Sequence, residues 1–271
     1  MTGLTTAAGD VREILFKHMA SRSVRFRVTS RSAGLFAGSG RLLSRASDLG
    51  LQVHRSAVDG EAVVCGSAVL DAAGTPLQVA AAEESFIGLI AKPCGIATAA
   101  ARAVQSAGSM KVVCGAWKKA PPELKEVVRH AIRTGGAAPR ISDEPFVYLD
   151  KNFVRMLGGA GNAVRAASSL DGRLIVVQIR GELAAVDAEA LEAASLGAGV
   201  LMVDTGDTAD LVRVRDTLLG NGLRHRVRLA FGGGIKIEHL PYLSDMGIDI
   251  VDIGTEIVDA PMLDFRLDVV V

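Results

Sequence analysis

The sequence predicts an α/β protein in two parts, a small α/β sandwich over residues 1–92 and a parallel α/β barrel over residues 93–271. Three observations carry that reading. Short apolar stretches with one helix among them fill residues 24–79. From residue 110 onward, six apolar runs of four to six residues alternate with helical patterns, as parallel strands joined by crossover helices do. Polar residues or glycines follow nearly every run: Lys118 and Lys119, Asp150 and Lys151, Gln178 and Arg180, Asp204, the glycines Gly232, Gly233 and Gly234, and Gly254. A barrel gathers such residues at one mouth. A doubly wound open sheet, the alternative, would concentrate them at one switch point.

Residues 11–20 place Val11, Ile14, Leu15 and Met19 on one helical face, with Asp10 as N-cap. Gly3 and Gly9 before it read as a flexible arm. Residues 24–28 alternate strictly, Val-Arg-Phe-Arg-Val, as a half-buried strand does. The stretch 34–40 reads as a turn, and a helix starting at Ser39 or Gly40 ends at Gly50. Residues 51–54 form a short strand, Asp59-Gly60 a turn, 61–69 a strand interrupted at Gly66, and 71–76 a second turn. A long helical pattern from Glu83 carries Phe86, Ile87 and Ile90 and breaks near Pro93, with a second helix over 96–106. Strands follow at 110–114, 146–149, 174–179, 200–203, 227–231 and 250–253. Helices are expected at 122–133, 162–167, 184–196, 208–219 and 238–246.

At 271 residues the chain can bury a sizeable core. Lys plus Arg equals Asp plus Glu at 30 each, which argues against a general nucleic-acid surface. Cys65, Cys94 and Cys114 have no C-x-x-C spacing, so a zinc site is not expected and core filling is the reading for all three. No run reaches the ~18 uncharged apolar residues of a membrane span. The first ten residues lack the basic start and apolar core of a signal peptide. A cytoplasmic location is expected.

Cys94-Gly95-Ile96-Ala97-Thr98 resembles the Ser-Gly-Ile-Ala-Thr segment of the quinolinate phosphoribosyltransferases, the nicotinate-nucleotide pyrophosphorylases. Arg133-Thr134-Gly135-Gly136 is similar to that family's Arg-x-Gly-Gly turn. Arg140, Asp150-Lys151-Asn152, Asp204 and Gly233-Gly234-Ile235 follow in the family's order. Ala33-Gly34-Leu35-Phe36-Ala37-Gly38 and the Asp59-Gly60 turn resemble its N-terminal domain. The resemblance covers nearly the whole chain. It implies a type II phosphoribosyltransferase-like fold, an N-terminal α/β sandwich followed by an incomplete parallel α/β barrel. It also implies a homodimer, or a larger homo-oligomer, with a site shared between subunits. The implied reaction displaces pyrophosphate from phosphoribosyl pyrophosphate with a pyridine nitrogen, using magnesium (Mg2+). Decarboxylation of quinolinate then leaves nicotinate mononucleotide.

The chain departs from the family's pattern at several positions. Trp117-Lys118-Lys119-Ala120 stands where the family has Thr-Arg-Lys-Thr, so a bidentate guanidinium is lost. Pro139-Arg140 replaces His-Arg, Asp150-Lys151-Asn152-Phe153 replaces Lys-Asp-Asn-His, Gln178 replaces a glutamate, and Gly232 replaces a serine. Glu83-Glu84 stands where the family has Glu-Arg, which turns an anion reader into an anion.

Each candidate has a functional and a structural reading. Lys118 and Lys119 contact phosphate, with Lys119 in the catalytic set, or belong to a solvated loop. Trp117 stacks on a base or anchors the barrel wall. Arg140 binds a substrate anion or lies on the surface. Lys151 stabilises developing negative charge or pairs with Asp150. Asp204 orients the ribose or helps hold magnesium, or caps the helix after Gly206. Gly232, Gly233, Gly234 and Gly254 form a phosphate-binding turn or only a tight one. Glu84 and Gln178 orient an acceptor bearing an amine, amide or positive charge. The expected function is phosphoribosyl transfer, in either direction, with a nitrogen-heterocycle other than quinolinate. The alternatives are a non-catalytic nucleotide- or phosphate-binding homologue and a different barrel enzyme with a Schiff-base lysine.

Overall fold

The structure is a computed structural model that describes residues 10–270. Gly3 and Gly9 lie outside them. The chain divides into two compact units, residues up to 98 together with 261 onward, and residues 99–260. This differs from a break at 92/93: the first boundary falls six residues later and the C-terminal segment returns to the first unit.

The first unit opens with α1 (Val11–Leu15), capped by the Asp10 carboxylate on the Arg12 amide, and a short 3-10 turn, Lys17–Met19. The continuous helix over 11–20 is therefore not formed, and Val11, Ile14 and Leu15 are exposed rather than packed. Next come β1 (Val24–Ser30), β2 (Gly34–Leu35), α2 (Ser39–Asp48), β3 (Gln52–Ser56), β4 (Ala62–Val63) and β5 (Ala68–Gly74). β1 buries Phe26, Val28 and Ser30 and turns Arg25 and Arg27 outward, as its alternation predicts. β5 runs straight through Asp71, where a turn is predicted. Asp71 is buried and takes bonds from Arg25 and Arg27 on the neighbouring strand, so a turn-forming residue is held inside a sheet. A final strand, Phe265–Val269, had no sequence expectation; it pairs antiparallel with β1 and completes a four-stranded sheet. The core under this sheet gathers Phe26, Phe36, Leu42, Leu70, Phe86 and Ile90.

The helix α3 (Pro76–Ser106) is a single element. Pro93 does not break it, since proline removes one amide bond and the buried face of Phe86, Ile90, Cys94 and Ala97 continues across it. Cys94 and Cys114 are buried, whereas Cys65 is exposed, which corrects the core reading for that thiol.

The second unit is built from β6 (Lys111–Val113), α4 (Lys125–Thr134), β7 (Phe146–Leu149), α5 (Lys151–Met156), α6 (Ala160–Ala167), β8 (Leu174–Ile179), α7 (Val186–Ser195), β9 (Val200–Val203), α8 (Thr208–Gly220), β10 (Arg228–Phe231), α9 (Leu240–Ser244), β11 (Ile250–Asp252) and α10 (Thr255–Val258). The six strands form one parallel sheet in the order β6-β11-β10-β9-β8-β7. That order is cyclic except between β6 and β7. Among the described residues, an isolated bridge, Val113 to Ala138, is what extends the sheet on that side. The result is the incomplete barrel, a curled parallel half-barrel with its seam between the Ala138 segment and β7. Inward side chains in successive layers, Val113, Val176, Val200, Met202, Ala230 and Ile250, fill its interior.

Candidate active site

Parallel strands all present their carboxyl ends on the same side, so loops distant in sequence meet there. Two cavities of about 570 Å3 each open at this end. The first is polar. Lys118 and Lys119 reach it from a 3-10 turn, Gly115–Lys119, after β6, where the sequence reads as an open loop. Asp150 and Lys151 enter after β7, Gln178 on β8, Asp204 after β9, Gly233 and Gly234 after β10, and Gly254 after β11. The structure thus brings Lys118, Lys119, Lys151, Gln178, Asp204, Gly233, Gly234 and Gly254 around one space and leaves Trp117, Arg140 and Gly232 outside it.

The hydrogen bonds decide between several of the readings. Asp150 caps α5 by accepting the amides of Asn152 and Phe153, so it does not pair with Lys151. The ammonium groups of Lys118, Lys119 and Lys151 make no ion pair with any described residue. Gln178 is buried with both ends of its amide engaged. Its Oε1 accepts the Lys151 amide at 2.6 Å and its Nε2 donates to Asp204 Oδ2 in a short contact. One N–H of its amide is thus committed to Asp204 and one lone pair of its oxygen to the Lys151 backbone, while the side chain still lines the cavity. Arg180 Nη1 donates to the same Asp204 oxygen at 2.8 Å. Asp204 does not cap a helix; α8 is capped by Asp207, which accepts the Ala209 amide. Asp204 Oδ1 is left facing Gly232.

The triple glycine divides into two roles. The Gly232 amide donates to Val203 O and its carbonyl accepts from Gly206, so it is consumed by the sheet end and is not a phosphate donor. Gly233 and Gly234 take positive φ, +105° and +79°, and line the cavity. A Cβ on Gly233 would sit 2.5 Å from the Gly206 nitrogen, so glycine is required there by both conformation and space.

The second cavity lies at the seam. Its walls include Val113, Trp117, Ile141, Phe146 and Met202, with Arg129, Arg133 and Arg140 among its charged groups. Trp117 is anchored: its indole N–H donates to Pro139 O at 2.6 Å and the Arg129 guanidinium lies 3.5 Å from its ring centre. One face is thus already covered. Arg140 lies over Phe146 at 5.0 Å. Glu84 is elsewhere, exposed on α3 in the first unit, with its carboxylate 2.8 Å from Arg12 Nη1.

Two residues with no sequence expectation stand out. Asp252, at the end of β11, borders both cavities and accepts the Gly115 amide on Oδ1 at 3.2 Å. Burial raises its pKa, helped by the charge of Asp204, while the Gly115 amide, Lys118 and Lys119 oppose the rise. Tyr148, on β7, also borders both. Burial, then the charges of Asp252, Asp204 and Asp150, push its ionisation upward, so the phenol stays neutral. The available signal was the period of two: Tyr148 and Asp252 share the inward phase of their strands with Gln178 and Asp204.

Residues 96–268 match the family model described as quinolinate phosphoribosyl transferase, C-terminal domain. The chain is 28% identical to a probable nicotinate-nucleotide pyrophosphorylase (carboxylating) of Archaeoglobus fulgidus, over 96% of this chain and 98% of that protein. It is also 28% identical to the human nicotinate-nucleotide pyrophosphorylase (carboxylating), over 88% of this chain and 80% of that one. Among solved structures, the nicotinate-nucleotide pyrophosphorylase of Pyrococcus furiosus superposes with a TM-score of 0.82 at 20% identity, covering 100% of this chain and 78% of that one. The Francisella tularensis enzyme of the same name gives 0.81 at 19%, covering 98% and 92%. At these identities the structural likeness establishes the fold.

Proposed function

The chain belongs to the quinolinate phosphoribosyl transferase family, and from that membership we propose that it transfers a phosphoribosyl group between phosphoribosyl pyrophosphate and a nitrogen-heterocycle other than quinolinate. The observation that carries the transfer is the set of three unpaired ammonium groups, Lys118, Lys119 and Lys151, around one cavity at the carboxyl ends of the strands. Cations with no ion-pair partner among the described residues, at a barrel mouth, suit a polyanion. They would neutralise charge developing on departing pyrophosphate, which is the main task in this reaction. The Gly233-Gly234 turn adds backbone N–H groups for a phosphate. Asp204, held by Arg180 and Gln178, keeps Oδ1 free for a ribose hydroxyl.

Magnesium fits this site as part of the substrate. Among the described residues there is no group of three His, Cys, Asp or Glu side chains placed to hold a metal. One oxygen of Asp204 is already committed. A magnesium ion carried by the diphosphate rather than held in a cage of protein ligands agrees with that donor set.

The departure from quinolinate rests on this chain's own residues. Glu84, Trp117, Pro139 and Ala120 stand where the resemblance calls for arginine, threonine, histidine and threonine. The apolar and aromatic seam cavity beside the lysines would take the acceptor ring. The same reading makes the working form a homodimer with a shared site, and a monomer mass by light scattering at micromolar concentration removes that part.

The test of the transfer is direct. Phosphoribosyl pyrophosphate with magnesium should raise the melting temperature, and Lys119→Ala with Lys151→Ala should abolish the rise. No stabilisation by phosphoribosyl pyrophosphate or pyrophosphate sinks the transfer reading. Nicotinate mononucleotide formed from quinolinate at a useful rate sinks the choice of acceptor.

A further inference from the structure

The two cavities share a short wall made by Gly115, Lys118, Tyr148 and Asp252. With diphosphate in the lysine cavity, the attacking ring comes from the seam cavity. The reacting atoms must approach to about 3–3.5 Å, so they meet at the shared wall. Whatever substituent flanks the attacking ring nitrogen is therefore pressed against the same wall.

The polar groups there are few. Tyr148 offers a neutral hydroxyl. Lys118 is exposed and reaches both cavities. Asp252 is set back between them, with Oδ1 fixed by the Gly115 amide at 3.2 Å. Its Oδ2 has no hydrogen-bond partner among the described residues. A carboxylate oxygen held in place and left without a donor is a receptor for N–H, and it opposes another carboxylate.

We propose that Asp252 determines which acceptor is used: its free oxygen accepts an N–H from a carboxamide or amino group beside the attacking ring nitrogen and rejects a carboxylate at that position. The proposal rests on the phosphoribosyl-transfer reading for where the ring nitrogen lies. The selectivity itself rests on Asp252. Quinolinate carries a carboxylate next to its ring nitrogen, so the contact that holds an amide would exclude it. A site built to receive a donor discriminates strongly, because an ill-matched ligand leaves buried polar groups unpaired. Lys118 and Lys119 soften the charge of Asp252, and Asp204 adds to it. No proton leaves the ring in the transfer step. The ring nitrogen's lone pair forms the bond to the sugar carbon, and the bond to pyrophosphate breaks with its electrons going to the leaving oxygen.

The probes are isosteric pairs, pyridine-2-carboxamide against pyridine-2-carboxylate and the corresponding quinoline pair. Binding to the full chain is measured by calorimetry at pH 9, on the side of the titration that favours the carboxylate. At least one amide should bind, and at least tenfold more tightly than its carboxylate partner. Asp252→Asn, which keeps the acceptor for Gly115 but points N–H at the ligand, should bring that ratio to one or below. Failure of both amides to bind overturns the proposal, as does a carboxylate binding equally well or better, or a ratio unchanged in Asp252→Asn. The wild-type comparison decides even where the variant does not fold. Because these assays contain no phosphoribosyl pyrophosphate, amide selectivity without stabilisation by that compound would condemn the transfer reading and leave the Asp252 assignment standing. Stabilisation without selectivity would do the reverse.

Discussion

Replacing Gln178 by glutamate changes the side chain by little more than one atom and tests the centre of the site. The amide nitrogen of Gln178 donates to Asp204 Oδ2, and its oxygen accepts the Lys151 amide. In Gln178→Glu the donor becomes a carboxylate oxygen beside another carboxylate. The introduced carboxyl either stays ionised against the like charge or takes up a proton and donates as the amide did. Protonation sets a ceiling on the cost. With an unfolded pKa of about 4.3 and 1.36 kcal/mol per pH unit, the ceiling is about 3.7 kcal/mol at pH 7 and about 1 kcal/mol at pH 5. Arg180 Nη1, 2.8 Å from the same Asp204 oxygen, offsets part of the repulsion. The expected loss is therefore about 1–3 kcal/mol at pH 7. The introduced group has a folded pKa above its unfolded one. Stability matching wild type is thus kept below about pH 4.3 and lost as pH rises through the folded value. At roughly 2–4 °C per kcal/mol, the melting temperature should fall by roughly 2–12 °C at pH 7 and by much less at pH 5. Thermal melts of both proteins from pH 4.5 to 8 measure this. A difference that does not grow with pH, or no difference, would refute the assignment of a direct Gln178–Asp204 bond.

Three further outcomes follow from named contacts. Hydrogen bonds from Arg25, then Arg27, hold the Asp71 carboxyl down at about 2 against the effect of burial, so its contribution is present above pH ~4 and lost as pH falls through about 2; Asp71→Asn should lower the melting temperature at pH 7 and much less near pH 2, by calorimetry. Burial pushes the Cys94 and Cys114 thiols up to about 12 while Cys65 is exposed, so a thiol reagent at pH 8 should label one cysteine in the native protein and three in denaturant. Gly233→Ala forces a Cβ onto a residue at φ +105° and against the Gly206 backbone, and should cost about 1–3 kcal/mol in urea melts while weakening stabilisation by pyrophosphate.

Much of the second unit was legible because its strands are short, apolar and bounded by polar residues. The runs at 146–149, 174–179 and 200–203 coincide with β7, β8 and β9 to the residue. Sequence reading failed where a tertiary contact overrode a local signal. Asp71 and Gly74 look like turn residues, yet two arginines from β1 hold Asp71 inside β5. Pro93 looks like a helix end, yet the helix continues with a buried face on both sides of it. The C-terminal strand is short and half-exposed, and its pairing with β1, more than two hundred residues away, defines it.

The site was legible in its cations and glycines and illegible in its pairing. Lys118, Lys119, Lys151, Asp204 and Gly233 could be placed by their position after strands, because a parallel half-barrel sends every strand end to one mouth. What each of them does depends on partners that no local pattern encodes. Gln178 reads from the sequence as an acceptor contact, and the structure adds two partners that no local pattern encodes, the Lys151 backbone and Asp204. Asp252 lies within an apolar strand rather than after it, where residues following strands do not reveal it. Counting by two from the inward residues resolves this. Ile250 faces the interior, so Asp252 must face it too, one step nearer the mouth, as Asp204 does beyond Met202. A charge on the inward phase of the last residue of a barrel strand is in the site whether or not a loop follows. By that rule the position bordering both cavities can be named from the sequence alone.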